Sequence, residues 1–116
     1  MLVEIYAKTN TNFSFQPNFT LNVGTFNGTI DNRLTGGHDL NGMKFSTKDK
    51  DQDKNSGSCA TGSKGAWWYK NCHYSNLNGK NLGYAREDGS SMSWRGFPQS
   101  GKMITLKTIK MALRRQ

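Results

Sequence analysis

Three aspartates spaced two apart, Asp49, Asp51 and Asp53, stand in the run DKDQDKNSG and form the chain's densest set of hard oxygen donors. In a curled loop that spacing lets alternate side chains converge, and calcium takes about six to eight oxygens at roughly 2.3–2.6 Å. The EF-hand pattern does not hold. Counted from Asp49, the sixth position is Lys54 rather than glycine and the twelfth is Ala60 rather than glutamate. Two readings remain: a calcium loop of another kind, with two carboxylates completed by backbone carbonyls freed at the Asn55–Gly57 turn, or a solvated loop whose lysines balance the aspartates. Cys59 and Cys72 are the only cysteines, in no C-x-x-C pair, and His38 and His73 are too few and too scattered to complete a zinc site. A bridge between the two cysteines would close a short loop, stabilising by about 3 kcal/mol. No carboxylate pair, nucleophile–base arrangement or phosphate loop has a spacing that holds up, so no enzyme is expected.

The elements that must position these residues are short. With 116 residues, 34% of them hydrophobic, the chain makes one domain at most, around a thin core. The 13 glycines and abundant Asn, Ser and Thr predict a loop-rich chain, while 3 Trp, 4 Tyr and 6 Phe are too many for a disordered one. Leu2–Tyr6 and Phe19–Val23 read as strands from their β-branched and aromatic residues. Gly36-Gly37 and Asn41-Gly42 mark turns before a short strand at Met43–Thr47. Lys48–Ser58 and Gly79–Ser91 are polar loops. AWWYK, Ala66–Lys70, is the densest apolar segment and belongs in the core. Over Met103–Leu113, Ile104 and Leu106 alternate in one phase and Ile109, Met111 and Leu113 in the other, which suggests a bulged strand. A helix competes there, and the β-branched Ile and Thr favour strand.

The net charge is +8, and from Trp94 onward there are six basic residues and no acid. Such a surface attracts polyanions, and it equally serves as a solvated face that keeps a small protein in solution. No run approaches the length of about 18 apolar residues that crosses a bilayer. N-x-[ST] sequons at Asn12, Asn18 and Asn27 fall within sixteen residues, which fits passage through the secretory route. Met1-Leu-Val-Glu lacks the pattern of a signal peptide, so the expectation is a fragment or a missing true N-terminus.

The run from Gly42 to Gly79, GMKFSTKDKDQDKNSGSCATGSKGAWWYKNCHYSNLNG, closely resembles the C-terminal part of a fibrinogen-related domain, the family of fibrinogen chains, ficolins, tachylectins and angiopoietins. The resemblance lies in F-S-T-K-D before the acidic loop, a Cys six residues after Asp53, W-W before a second Cys, and then H-x-x-x-L-N-G. It extends more weakly to Phe19–Leu34 and to Ser93–Arg114. It implies an α+β, loop-rich fold: a small antiparallel sheet with short helices, as a truncated fibrinogen C-terminal-like domain. Residues 1–41 would be a remnant of the central sheet region and 42–116 a calcium loop and ligand-pocket subdomain. The family domain is roughly twice this length. Strands that would pair within its sheet become edges here, so marginal stability and homo-oligomeric association are expected.

Carried over residue by residue, the resemblance implies Ca2+ held by the carboxylates of Asp51 and Asp53 and the carbonyls of Asn55 and Gly57, with water completing the shell and Asp49 as support. It implies a Cys59–Cys72 disulfide and a cis Asn71–Cys72 peptide that turns the N–H groups of Cys72 and His73 toward an acetyl or carboxylate oxygen. The loop after Gly79 is shorter than the family's and lacks its Y-A-[DN]-G pattern, and Tyr84, or alternatively Arg86, is expected to supply that part of the ligand pocket. Ser63 departs from the aromatic found there in acetyl-binding members, and Trp94 is alone where two tryptophans are expected, which points to an incomplete wall around an acetyl methyl. The implied function is a calcium-dependent secreted recognition module, lectin-like, binding acetylated or anionic glycans in innate immunity. The alternatives are a module for extracellular proteins or receptors, or a truncated derivative without function. Polyanions are compatible partners, and nucleic acid is not expected.

Overall fold

Apolar side chains are sparse in this chain, so regular elements are short and the core gathers where loops bring those side chains together. The computed structural model describes residues 2–7, 19–21, 23, 29–35 and 39–115. In chain order these contain strand β1 (Leu2–Ala7), helix α1 (Cys59–Ser63), and strands β2 (Ser75–Asn76), β3 (Ser93–Trp94) and β4 (Lys110–Arg115). β2 and β3 pair antiparallel, with Ser75 opposite Trp94 and Asn76 opposite Ser93. The ladder continues through Arg95 N–H to Tyr74 O (2.9 Å), and β3 also meets the segment around Thr105 through Leu106 N–H to Met92 O (2.9 Å).

β1 pairs with β4 in parallel, from Leu2 opposite Lys110 to Ala7 opposite Arg115. That chain-spanning pairing has no local signature. β1 carries the β-branched and aromatic residues that suit a pleated surface. β4, KMALRR, consists of good helix formers and is extended because β1 supplies its backbone partners. The expected strand at Met103–Leu113 is thus interrupted rather than bulged. Met103, Ile104 and Thr105 make isolated bridges, and the ladder resumes only at Lys110. The phase change falls in the gap, with Leu106 buried and Met111 exposed.

Two expected strands contract. Among the described residues of Phe19–Val23 there is no ladder. Phe19 has φ 53° and is exposed, while Leu21 turns inward, donating to Met43 O (2.9 Å) and accepting from Gly42 N–H (2.8 Å). Gly42, at φ +79°, takes the left-handed turn that brings Met43 back to Leu21, and no side chain other than glycine's enters that region freely. Met43–Thr47 reduces to two isolated antiparallel bridges, Ser46 with Trp67 and Thr47 with Lys50.

The core is one cluster including Leu21, Leu34, Leu40, Trp67, Tyr69 and Trp94. In AWWYK, Trp67 and Tyr69 are fully buried and Trp68 between them is half-buried, as an extended segment alternates. Trp68 stands edge-on to Phe45 (5.1 Å between centroids), and its indole N–H reaches Phe19 O at 2.7 Å. α1 is capped by Ser58, whose hydroxyl accepts from Thr61 N–H (3.3 Å), and Lys64 in the left-handed region ends it. A side chain at Gly79 would collide with the Ser91 carbonyl and the Asn76 amide, so only glycine lets the 79–91 loop close against β2.

Candidate functional site

Polar turns, each closed by a side chain, shape the acidic loop. Asp51 Oδ1 accepts from Asp53 N–H (3.2 Å), Asp53 Oδ1 from Asn55 N–H (2.8 Å), and Asn55 Oδ1 from Gly57 N–H (2.8 Å). These successive Asx turns curl the segment without regular structure. Asp53 Oδ2 accepts from Cys59 N–H at 2.8 Å, tying the loop to the start of α1. Partial burial pushes the Asp53 carboxyl above its ordinary value. The amides of Cys59 and Asn55 pull the other way, and the neighbouring Asp51 adds to the rise. Asp49 lies just outside, its Oδ1 accepting from Thr47 Oγ1 at 2.6 Å, which holds its carboxyl below the usual range.

The donor chemistry suits a hard divalent cation. Asp51 and Asp53 are neighbouring like charges, and among the described residues neither has a Lys or Arg ion pair. The amides of Asn55 and Gly57 are used within the loop, and among the described residues their carbonyl oxygens accept no hydrogen bond. No three His, Cys, Asp or Glu side chains gather among the described residues, so two carboxylates would need backbone oxygens and water to complete a shell.

Cys59 and Cys72 form a disulfide, with Cα atoms 5.5 Å apart. The Asn71–Cys72 peptide is cis. Asn55 Nδ2 donates to Asn71 Oδ1, and Lys54 N–H donates to Lys70 O at 2.8 Å. The acidic loop and the Asn71–His73 segment are therefore bound to one another by a covalent bond and two hydrogen bonds. His73 Nε2 is 3.0 Å from the hydroxyl of buried Ser63, and its ring is 5.6 Å from that of Tyr69. Beneath it, the Tyr69 hydroxyl donates to Asn76 Oδ1 (2.6 Å), and burial pushes that phenol well above its ordinary value. Replacing both cysteines by serine is expected to cost about 3 kcal/mol, the worth of a bridge across so short a loop. Urea unfolding of the oxidised wild type and the double variant checks this, and equal midpoints would refute it.

Of the residues expected to form the site, the structure brings together Asp51, Asp53, Asn55, Gly57, Asn71, Cys72 and His73, on two segments joined by the disulfide. Tyr84 is on the 79–91 loop, 61% exposed, and among the described residues its hydroxyl bonds to Arg86 Nη1 (3.5 Å). Asn12, Asn18, Asn27 and His38 lie outside the described residues. The contacts of Asn55 with Asn71 and of Ser63 with His73 were not legible in sequence, because neither pair is close in the chain. Two open cavities of about 400 and 280 Å³ flank Lys107 and Thr108, and neither is lined by Asn71, Cys72 or His73.

The family described as fibrinogen beta and gamma chains, C-terminal globular domain, matches residues 4–116. The chain is 40% identical over 108 residues to Fibrinogen C domain-containing protein 1-B of Xenopus laevis, covering 90% of this chain and 22% of that protein. It is 41% identical over 96 residues to Tenascin-R of Gallus gallus, covering 83% of this chain and 7% of that one. The fibrinogen-like globe domains of human ANGPTL6 and ANGPTL2 superpose with TM-scores of 0.60 and 0.61. Each is 31% identical over 78% of this chain, which spans 45% of either globe. The chain belongs to the fibrinogen C-terminal globular domain family, with part of that family's fold, and such domains are recognition and binding modules.

Proposed function

We propose that this chain is a calcium-dependent, secreted recognition module that binds acetylated or anionic glycans in a lectin-like manner, in the service of innate immunity. The supporting observation is the physical union of the acidic loop with the Asn71–His73 segment through the disulfide and the Asn55–Asn71 and Lys54–Lys70 hydrogen bonds. Asp51, Asp53 and the carbonyls of Asn55 and Gly57 would hold calcium, which supplies positive charge that relieves the repulsion between the two carboxylates. The N–H groups of Cys72 and His73 would meet an acetyl or carboxylate oxygen. Ser63 presents His73 with a polar wall, and that observation favours a second reading, in which the same face takes a protein segment rather than an acetylated sugar. Homologues of this domain are typically extracellular, and the disulfide is stable in such a compartment.

His73→Ala separates the two roles. Calcium should still raise its melting temperature, while its affinity for N-acetylglucosamine, measured by titration in calcium, should fall about tenfold, because alanine keeps the backbone N–H but loses the imidazole whose contact with Ser63 holds that N–H in place. A variant that loses both responses together would be misfolded. One that keeps full affinity for the sugar would remove the His73 imidazole, though not its backbone N–H, from the ligand site.

A further inference from the structure

Tyr74, directly after His73, carries two guanidinium groups. That of Arg95 lies 4.6 Å from its ring centroid and that of Arg33 lies 5.9 Å away. Both arginines are built in by backbone bonds. Arg95 N–H donates to Tyr74 O (2.9 Å), one step beyond the β2–β3 ladder, and Arg33 Nε donates to Arg95 O at 3.0 Å. Ser75 Oγ donates to Arg33 O (3.1 Å) and the Trp94 indole to Asp31 O (2.9 Å), which pins the segment beneath them. Gly96, at φ +88°, leaves backbone alone beside the pair. A Cβ there would lie 3.5 Å from Arg33 Nη2 and 3.7 Å from Asp31 Oδ2.

The charges in this cluster do not balance. Asp31 pairs with Arg33 at 2.7 Å, and Glu87 with Lys102 at 3.1 Å. These are the two ion pairs among the described residues, which hold every acid of the chain except the Glu4 side chain. Arg95 is therefore a cation fixed on an aromatic face, beside a second guanidinium, with no carboxylate of its own among the described residues. A guanidinium held over an aromatic ring still has N–H groups to offer, in the fork that fits a sulfate or carboxylate, and among the described residues no side-chain hydrogen bond from Arg95 competes for them. We propose that Arg95, with Arg33 and Tyr74, forms an anion subsite for an acidic glycan bearing sulfate or carboxylate groups. The subsite is separate from the calcium loop and does not depend on the calcium reading.

The test is titration of the full chain with a heparin-derived tetrasaccharide in EDTA, against Arg95→Gln, Arg95→Lys and, as a charge-matched control, Lys44→Gln. Arg95→Gln should weaken binding about tenfold, and Arg95→Lys, which keeps the charge but loses the fork, should weaken it severalfold. Lys44, exposed and outside the cluster, should change it less than about twofold. Desulfated tetrasaccharide then tells which group is read. Weaker binding assigns sulfate and equal binding assigns the uronate carboxylate. Equal losses in Arg95→Gln and Lys44→Gln would overturn the subsite in favour of diffuse attraction to the net +8 charge. Binding that appears only with calcium would overturn it by returning the anion to the Cys72–His73 segment. A duplex oligonucleotide that binds more tightly than the glycan, and depends on Arg95, would overturn the glycan as occupant.

Discussion

Replacing Asn76 by leucine is expected to cost about 3–5 kcal/mol of folding stability, at the upper end for a single substitution. The Asn76 side chain is fully buried and uses both ends of its amide. Its oxygen accepts from the Tyr69 hydroxyl at 2.6 Å, and its nitrogen donates to the carbonyls of Ser63 (2.9 Å), Gly89 (3.3 Å) and Ser91 (3.3 Å). One side chain thus joins the end of α1, the core tyrosine and the returning 89–91 loop. Leucine preserves volume but leaves the phenol and a buried carbonyl without partners, each costing about 1–3 kcal/mol. Removing the phenol's need as well, in Asn76→Leu with Tyr69→Phe, should recover part of the loss. Urea unfolding of the four proteins gives the coupling directly. A loss in Asn76→Leu below about 1 kcal/mol would show that water reaches these groups and that the network is not what closes the site.

The second large effect belongs to the acidic loop, where the calcium-dependent rise in melting temperature should vanish in Asp51→Asn with Asp53→Asn. Calcium that binds only the folded state stabilises by mass action, about 2.7 kcal/mol at one hundred times its dissociation constant. Asparagine at 51 keeps the acceptor for Asp53 N–H, whereas at 53 its single amide oxygen can serve only one of the Asn55 and Cys59 amides that the two carboxylate oxygens now satisfy, so the double variant loses the charge that calls for a cation and one loop hydrogen bond with it. The informative quantity is the difference between melts in calcium and in EDTA, because baseline stability changes separately. With both carboxylates neutral, relief of the Asp51–Asp53 repulsion also favours the metal-free fold. A rise as large as the wild type's in the double variant would move the cation elsewhere. No rise in the wild type would leave the loop a solvated one and end the calcium proposal.

Local chemistry determined a good deal of this protein. The alternation in AWWYK placed Trp67 and Tyr69 inside, because an extended backbone points neighbouring side chains to opposite faces. Two cysteines leave a single internal pairing, and Cys59–Cys72 is the bridge that forms. The joint pattern of F-S-T-K-D, W-W and H-x-x-x-L-N-G within Gly42–Gly79 pointed to the family whose model matches residues 4–116. Tertiary structure decided what depends on residues far apart. β4 is a strand although KMALRR favours helix, because Leu2–Ala7 offers a partner more than a hundred residues away, and backbone pairing outweighs a propensity of a few tenths of a kcal/mol per residue. Phe19 faces solvent because its carbonyl is drawn to Trp68, against the burial that its side chain alone suggests. Asn55 meets Asn71, Ser63 meets His73, and Arg33 and Arg95 share the ring of Tyr74 only because the disulfide and the β2–β3 ladder bring separate loops together. Polar contacts of that kind leave no periodic trace in a sequence, since one hydrogen bond constrains two residues and nothing between them.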